Sequence, residues 1–470
     1  MHTTTRLVFL VAVSAPWVAQ AATYHVRKDG HDTSCDGTAN ASVASAPACA
    51  FLTVQRGVDA AQPGDTVSVH AGDYSSATIN SARSGSAGKR VTLAAAAGET
   101  VTIGRTSVKS GHDYLTLQGF RMTRSSGFGN GLVAVSGSYL EIKGNHIYSS
   151  SSADYSQSVA LLFNSSSSHA LVDGNTLDGT SAAGAQSGPS MYVPINIHGS
   201  HHTFSGNIIK NMVDCERVFE TNGAHITISG NEIFNIFTSS KNGNGAHVDI
   251  FQNFFDTDGA DYVIEKNYIH DIDGQLGNYE SNGGTGAFVY RNNIFANITS
   301  ALFIHTPHHH FHNNTFYRVG TVQAHPILEY GEGQSGGTNP GGAYDMEYKN
   351  NIFFACGNGS NSGWFNSLTA TSTGDYNYVA TATNGVKGGF SEPHGVNGGN
   401  PSFVAAYSSC ITNACDFHLE AGSVLRDKGA TLPGFSDDMD GQTRSAPWDI
   451  GADEFSVAAP PSAPTGLKVQ

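Results

Sequence analysis

Residues from a few stretches of the chain have the types that acid-base chemistry requires. The segment Ala246-His247-Val248-Asp249-Ile250-Phe251-Gln252 alternates apolar and polar residues, so a strand there turns Val248 and Ile250 to one face and His247 and Asp249 to the other. A neutral imidazole can take a proton from a sugar carbon or hydroxyl, and a carboxylate beside it can orient it or act as a second catalytic group. Arg217, upstream, has the charge to balance a uronate. His247, Asp249, Arg217 and Glu280 are therefore the expected catalytic residues, and Gln252, Gln275, His305 and Lys241 the expected substrate-binding residues. Gln252 has the wrong parity for that face unless the strand bends after Ile250. Taken singly, each of these is an ordinary polar residue on a solvated strand. Their concentration argues otherwise: twelve of the 21 histidines fall between His198 and His325, mixed with Glu220, Glu280 and Glu329.

Residues so far apart in sequence meet only if the chain repeats, and it does. An apolar residue, two polar or small residues, an Asn, a variable residue and a second apolar residue recur as Ile142-Asn145-Ile147, Val172-Asn175-Leu177, Phe204-Asn207-Ile209 and Ile228-Asn231-Ile233. The series continues as Ile264-Asn267-Ile269, Val289-Asn292-Ile294, Phe311-Asn314-Phe316 and Tyr348-Asn351-Phe353, with Phe120 replacing Asn in an earlier copy. A constant phrase with variable spacing is the mark of a solenoid in which one tight bend recurs while loops elsewhere vary. Flanking alternation, as in Ala224-His225-Ile226-Thr227-Ile228, has the period of a strand with one buried face. Asn suits the bend because it tolerates left-handed backbone and its amide can bond to the Asn one coil on. Strands of adjacent coils lie about 4.8 Å apart, which makes neighbours of distant residues.

On these residues the chain resembles the pectate-lyase-like family of right-handed parallel β-helices, the phrase Ile-x-Gly-Asn-x-Ile being similar to their Asn ladder. The resemblance covers nearly all of the chain after its first segment. Tyr24-His25-Val26, Phe51 to Gln55 and Gln62 to Val67 are similar to the opening coil of secreted members, with Val54, Val58 and Ala61 forming the apolar stripe of a short capping helix. Phe417-His418-Leu419, Gly422-Ser423, Asp427-Lys428-Gly429 and Asp449 to Glu454 are similar to their terminal module. The implied fold is all-β, a right-handed parallel β-helix solenoid with an N-terminal capping helix and a C-terminal β-rich module. In such proteins the cleft lies on the outer face of the first sheet, here the segments 193–199, 216–222, 246–252, 275–281, 301–307 and 326–331. His-x-Asp-x-x-Gln is also similar to a pattern in carbohydrate-active members.

The expected organisation is a signal peptide over 1–21, with the apolar run Leu7 to Val18 and the small-x-small site Ala19-Gln20-Ala21, then an opening coil and cap over 22–74. Repeats follow over 75–400, a terminal module over 401–456 and a Pro-rich tail over 457–470. Export places the chain outside the cytoplasm, secreted or periplasmic, where its six cysteines can pair: Cys35 with Cys49 and Cys410 with Cys415, leaving Cys215 and Cys356 as buried thiols. The net charge of −15 without a basic run argues against nucleic acid and anionic membranes, and no segment after the first suits membrane insertion. A monomer acting on a polysaccharide is the expected state.

The scaffold hosts several chemistries. A lyase acting by β-elimination on a uronate-containing polysaccharide comes first, with His247 as base where family lyases commonly use Lys or Arg beside Ca2+. The metal is left open, because Asp256, Asp258 and Asp261 read as turn formers and the row His308, His310 and His312 as a stacked or solvated face. A glycoside hydrolase would pair Asp249 with Glu280 or Glu220, Glu329 being three coils away. A non-catalytic adhesin or glycan-binding solenoid is the third reading, favoured by the runs Ser149 to Ser152 and Ser165 to Ser168.

Overall fold

The computed structural model describes residues 20–124, 127–150, 158–180, 190–238, 248–253, 261–279, 286–323, 325–330, 342–358, 371–379 and 392–456. His247, Lys241, Glu280, Asp256 and Asp258, together with most of the leader and the Pro-rich tail, lie outside them. Three long sheets carry nearly all the strands, one of ten strands and two of thirteen, and within each sheet every neighbour is the equivalent strand of the next coil, running parallel. The chain is a right-handed parallel β-helix. A coil reads first sheet, second sheet, Asn bend, third sheet, as in Val193–Ile197, Thr203–Ser205, Asn207 and Ile208–Val213.

The alternation explains the packing. Ile142, Val172, Phe204, Ile228, Ile264, Tyr290, Phe311 and Tyr348 pair in register up the second sheet, all buried in one continuous core. A slip of one residue would turn that column outward, which is why register is held tightly. At the bend, each Asn side-chain oxygen accepts both the backbone N–H and the side-chain amide of the Asn one coil before. Asn145 donates to Asn175 at 2.9 and 3.0 Å, and the series ends with Asn351 donating to Asn377 at 2.9 Å from both groups. Phe120 keeps the bend without the side chain, its N–H reaching the Asn145 oxygen at 3.0 Å.

One rung differs from the sequence reading. Asn293, not Asn292, carries the ladder, accepting from Asn267 and donating to Asn314. The apolar flanks are Tyr290 and Phe295, while Asn292 takes the left-handed corner (φ 55°) that glycine fills in four earlier coils (Gly144, Gly174, Gly206, Gly230). Two adjacent asparagines made both registers readable locally, and only the pairing of Tyr290 with Ile264 separates them. Asn377, preceded by Gly374 rather than an apolar residue, closes the ladder without matching the phrase.

A second ladder runs along the corner between the first and second sheets, where Tyr114, Tyr139, His169, His201 and His225 stack with ring centroids 4.6 to 4.7 Å apart. At the front, the helix Val54–Ala60 buries Val54 and Val58 in the main core. Gly57 is required there, since a Cβ would stand 2.6 Å from Val67 Cγ1. At the back, residues after 400 form one antiparallel pair, Phe403–Ala405 with Asp416–Leu419, and fold back along the coils. Buried Arg444 reaches Asn292, and the Asn313 amide donates to the Asp449 and Gly451 carbonyls. Disulfides join Cys35 to Cys49 and Cys410 to Cys415, while Cys215 and Cys356 are free thiols.

Candidate functional site

The ten-stranded first sheet contains all six of the segments expected to line a cleft, in the expected order. Its register sets three outward rows. Asn196, Glu220, Gln252, Asn278, Phe303 and Leu328 pair in succession, so a polar patch passes into an apolar one along five coil steps, about 24 Å. Arg217, Asp249 and Gln275 form a second row. The third includes His198, Asn222, His305 and Tyr330, following the strands at equivalent positions.

Arg217 organises the polar patch. Its Nε donates to the Gln252 side-chain oxygen at 2.6 Å, one terminal nitrogen to Glu220 at 3.1 Å, and the other lies 3.5 Å from Glu216. Glu220 also accepts from Asn196 at 3.2 Å and from Asn222 at 2.9 Å. Six side chains from three coils are thus tied into one network, with Gln252 almost wholly buried within it. Gln252 reaches this face because the strand bends: Ile250 and Phe251 both enter the core, as do Val218 and Phe219 one coil earlier. At the other end, His305 stacks face to face on Tyr330 with centroids 4.4 Å apart. Together these surfaces offer amide and carboxylate partners for hydroxyls beside an aromatic edge.

Two expectations need correction. Asp249 was placed in the open cleft beside His247, but it is fully buried. Its alternation is as read, with Val248 and Ile250 in the core, yet it is a short side chain between two longer ones, Arg217 and Gln275, on strands one coil spacing away. Nor does Arg217 stand as an unpaired cation awaiting a uronate, because Glu216 and Glu220 already balance it. Glu329 turns inward: burial pushes its carboxyl up to about 8, partly offset by the Tyr348 hydroxyl that donates to it.

The sequence pattern does not single out Asn196, Asn222, Glu216 or Tyr330, since they become neighbours only through register across loops of unequal length. Glu220 stands out only as one of several carboxylates. For the calcium that the family resemblance implies, the described first-sheet residues offer no group of three ligand atoms close enough to share an ion. Such groups lie elsewhere, at His270, Asp271 and Cys410 and at His418, Asp440 and Asp453, and the Cys410 disulfide removes one donor from the first. Of the histidine row, His309 is buried in the interior against Thr306, whereas His310 and His312 face outward and His312 pairs with Glu347 at 2.6 Å.

The three sheets, the Asn ladder and the outward cleft rows define a pectate-lyase-like right-handed parallel β-helix. Two solved structures share that fold over almost the whole chain. One is pectate lyase Pel9A, with a TM-score of 0.50 at 16% identity, covering 94% of this chain and 98% of that one. The other is XylC, solved in complex with xylose, with a TM-score of 0.56 at 12% identity, covering 92% and 98%. At these identities the likeness is one of fold. No protein-family profile matches the chain, and no curated protein matches it in sequence.

Proposed function

We propose that this chain is an exported enzyme that cleaves a uronate-containing polysaccharide by β-elimination, on the outer face of the first sheet. The observation that carries the reading is the Arg217 network, in which Glu216, Glu220, Asn196, Asn222 and Gln252 converge from three coils, with the His305–Tyr330 stack further along the same sheet. Convergent amide and carboxylate groups on an outward sheet face that also carries an aromatic surface are partners for the hydroxyls and rings of a polysaccharide. In the reaction a base removes the proton beside the uronate carboxylate, the enolate collapses to a carbon–carbon double bond as the glycosidic C–O bond breaks, and the leaving oxygen takes a proton from the protonated base or from water. His247, two residues before Asp249, is proposed as that base. Glu280, Lys241 and Gln275 are proposed to border the same face. Export is supported by the leader pattern and the two disulfides.

A hydrolase is the second reading, favoured by two carboxylates, Glu216 and Glu220, held on one guanidinium. Incubation with a panel of uronate-containing and neutral polysaccharides separates the two. Ultraviolet absorbance from an unsaturated product identifies a lyase, and new reducing ends without it a hydrolase. Binding with neither signal would identify a glycan-binding solenoid and end the enzymatic reading. Given a positive assay, Arg217→Ala, Glu220→Gln and His247→Ala should each lower turnover at least about a hundredfold.

A further inference from the structure

Away from the cleft, the ends of successive third-sheet strands and a loop of the terminal segment enclose a cavity of about 390 Å3, in the range that holds a small ligand. Its rim repeats one corner in each coil. Asn211, Asn235, Asp271, Asn297, Arg318 and Ala355 all have φ between 52° and 59°. Asn and Asp tolerate this left-handed region well; a long side chain such as Arg does not share the preference. Arg318 nevertheless occupies it, lines the cavity, and forms no ion pair with any described residue. Asp271 beside it is already engaged, with the His270 ring nitrogen 2.7 Å away, a ring that also reaches Glu232 at 3.3 Å, and the Cys410 N–H donating at 2.9 Å. The outer wall is Ser408, in a loop braced by the Cys410–Cys415 disulfide and pinned where Asn297 donates to the Tyr407 carbonyl at 3.1 Å. Thr238, Thr299 and Thr321 add hydroxyls, the first donating to the Asp273 carbonyl and the second to the Asp273 carboxylate, which lines the pocket as an acceptor for sugar hydroxyls, and Phe237 adds an apolar edge.

We propose that this pocket is a second carbohydrate site that binds a single uronate unit, its carboxylate on Arg318 and its hydroxyls on the surrounding threonines and Ser408. A planar guanidinium matches a carboxylate through two parallel hydrogen bonds, and the wall supplies the partners a sugar ring needs. The site is independent of the chemistry assigned to the cleft, with which it shares no residue.

Calorimetric titration of glucuronate into the full chain, disulfides intact, should give saturable binding. Arg318→Gln should weaken it at least about tenfold, and glucose should bind at least about tenfold more weakly than glucuronate. In Arg217→Ala, which breaks the cleft network, the binding that Arg318→Gln weakens should persist. If Arg318→Gln fails to fold, Ser408→Trp, which fills the pocket from the exposed loop, replaces it and should abolish binding. Absence of saturable binding, equal affinity for glucose, full binding in the pocket variant, or its loss in Arg217→Ala would overturn the proposal.

Discussion

Glu329 sits at the end of a first-sheet strand with its carboxyl turned into the solenoid, where the Tyr348 hydroxyl donates to it. Burial favours the neutral acid and raises its pKa from 4.5 to about 8. Between those values the folded chain binds a proton that the unfolded chain has lost, so stability is fully present below about pH 4.5 and falls as pH rises through about 8. Glu329→Gln should flatten that decline, read as unfolding temperature against pH. A variant that retains the wild-type slope would show that the carboxyl is not what titrates. Glu220 is tied differently, its two oxygens taken by Arg217, Asn196 and Asn222, and its replacement should be read in turnover.

At the scale of the element, the Asn bend is the unit that repeats. Each buried amide satisfies a backbone N–H and a carbonyl of the preceding coil, as Asn267 does in accepting from the Asn231 N–H and donating to the Ile228 carbonyl. Asn267→Ala leaves those buried groups without partners and should cost about 2–3 kcal/mol, seen as a lower urea midpoint. Asn293→Ala should cost about the same. Asn292 makes a useful contrast, because its side chain bonds to the terminal segment rather than to the ladder. Asn292→Ala should loosen residues after 400 while leaving exchange of the ladder amides unchanged. Equal losses of ladder protection in the two variants would contradict the assignment of Asn293.

Across the whole molecule, the terminal segment acts as a strap laid over the coils. Arg444 is buried and donates to Asn292 and to the Gly451 and Ala452 carbonyls, with Glu454 beside it. Arg444→Met should cost about 3–5 kcal/mol through the uncompensated groups it leaves, and should expose residues 401–456 to proteolysis before the central coils open. His418 holds the same segment together. Burial alone would lower its pKa, but hydrogen bonds with Asp416 and Asp440 outweigh that and raise it from 6.5 to about 10. Its contribution is fully present below about pH 6.5 and lost as pH rises through about 10, a window later than that of Glu329. His418→Gln should remove the loss above about pH 8 and part of that between 6.5 and 8, where the two windows overlap, and leave the part between pH 4.5 and 6.5 in place.

Alternating residues and recurring Asn corners are local patterns, and they were enough by themselves to determine the solenoid and the order of its first-sheet strands, as the short cysteine spacings were for the two disulfides. They could not determine which of Asn292 and Asn293 turns inward, that Asp249 is covered by its neighbours, or that Glu220 shares Arg217 with Glu216. Nor did any local signal mark Arg318, whose pocket needs four coils and a loop from the far end of the chain. The physical reason is that a strand's period fixes which face a residue takes, whereas its neighbours on that face depend on how loops of unequal length bring separate coils into register, and that register exists only in the folded chain.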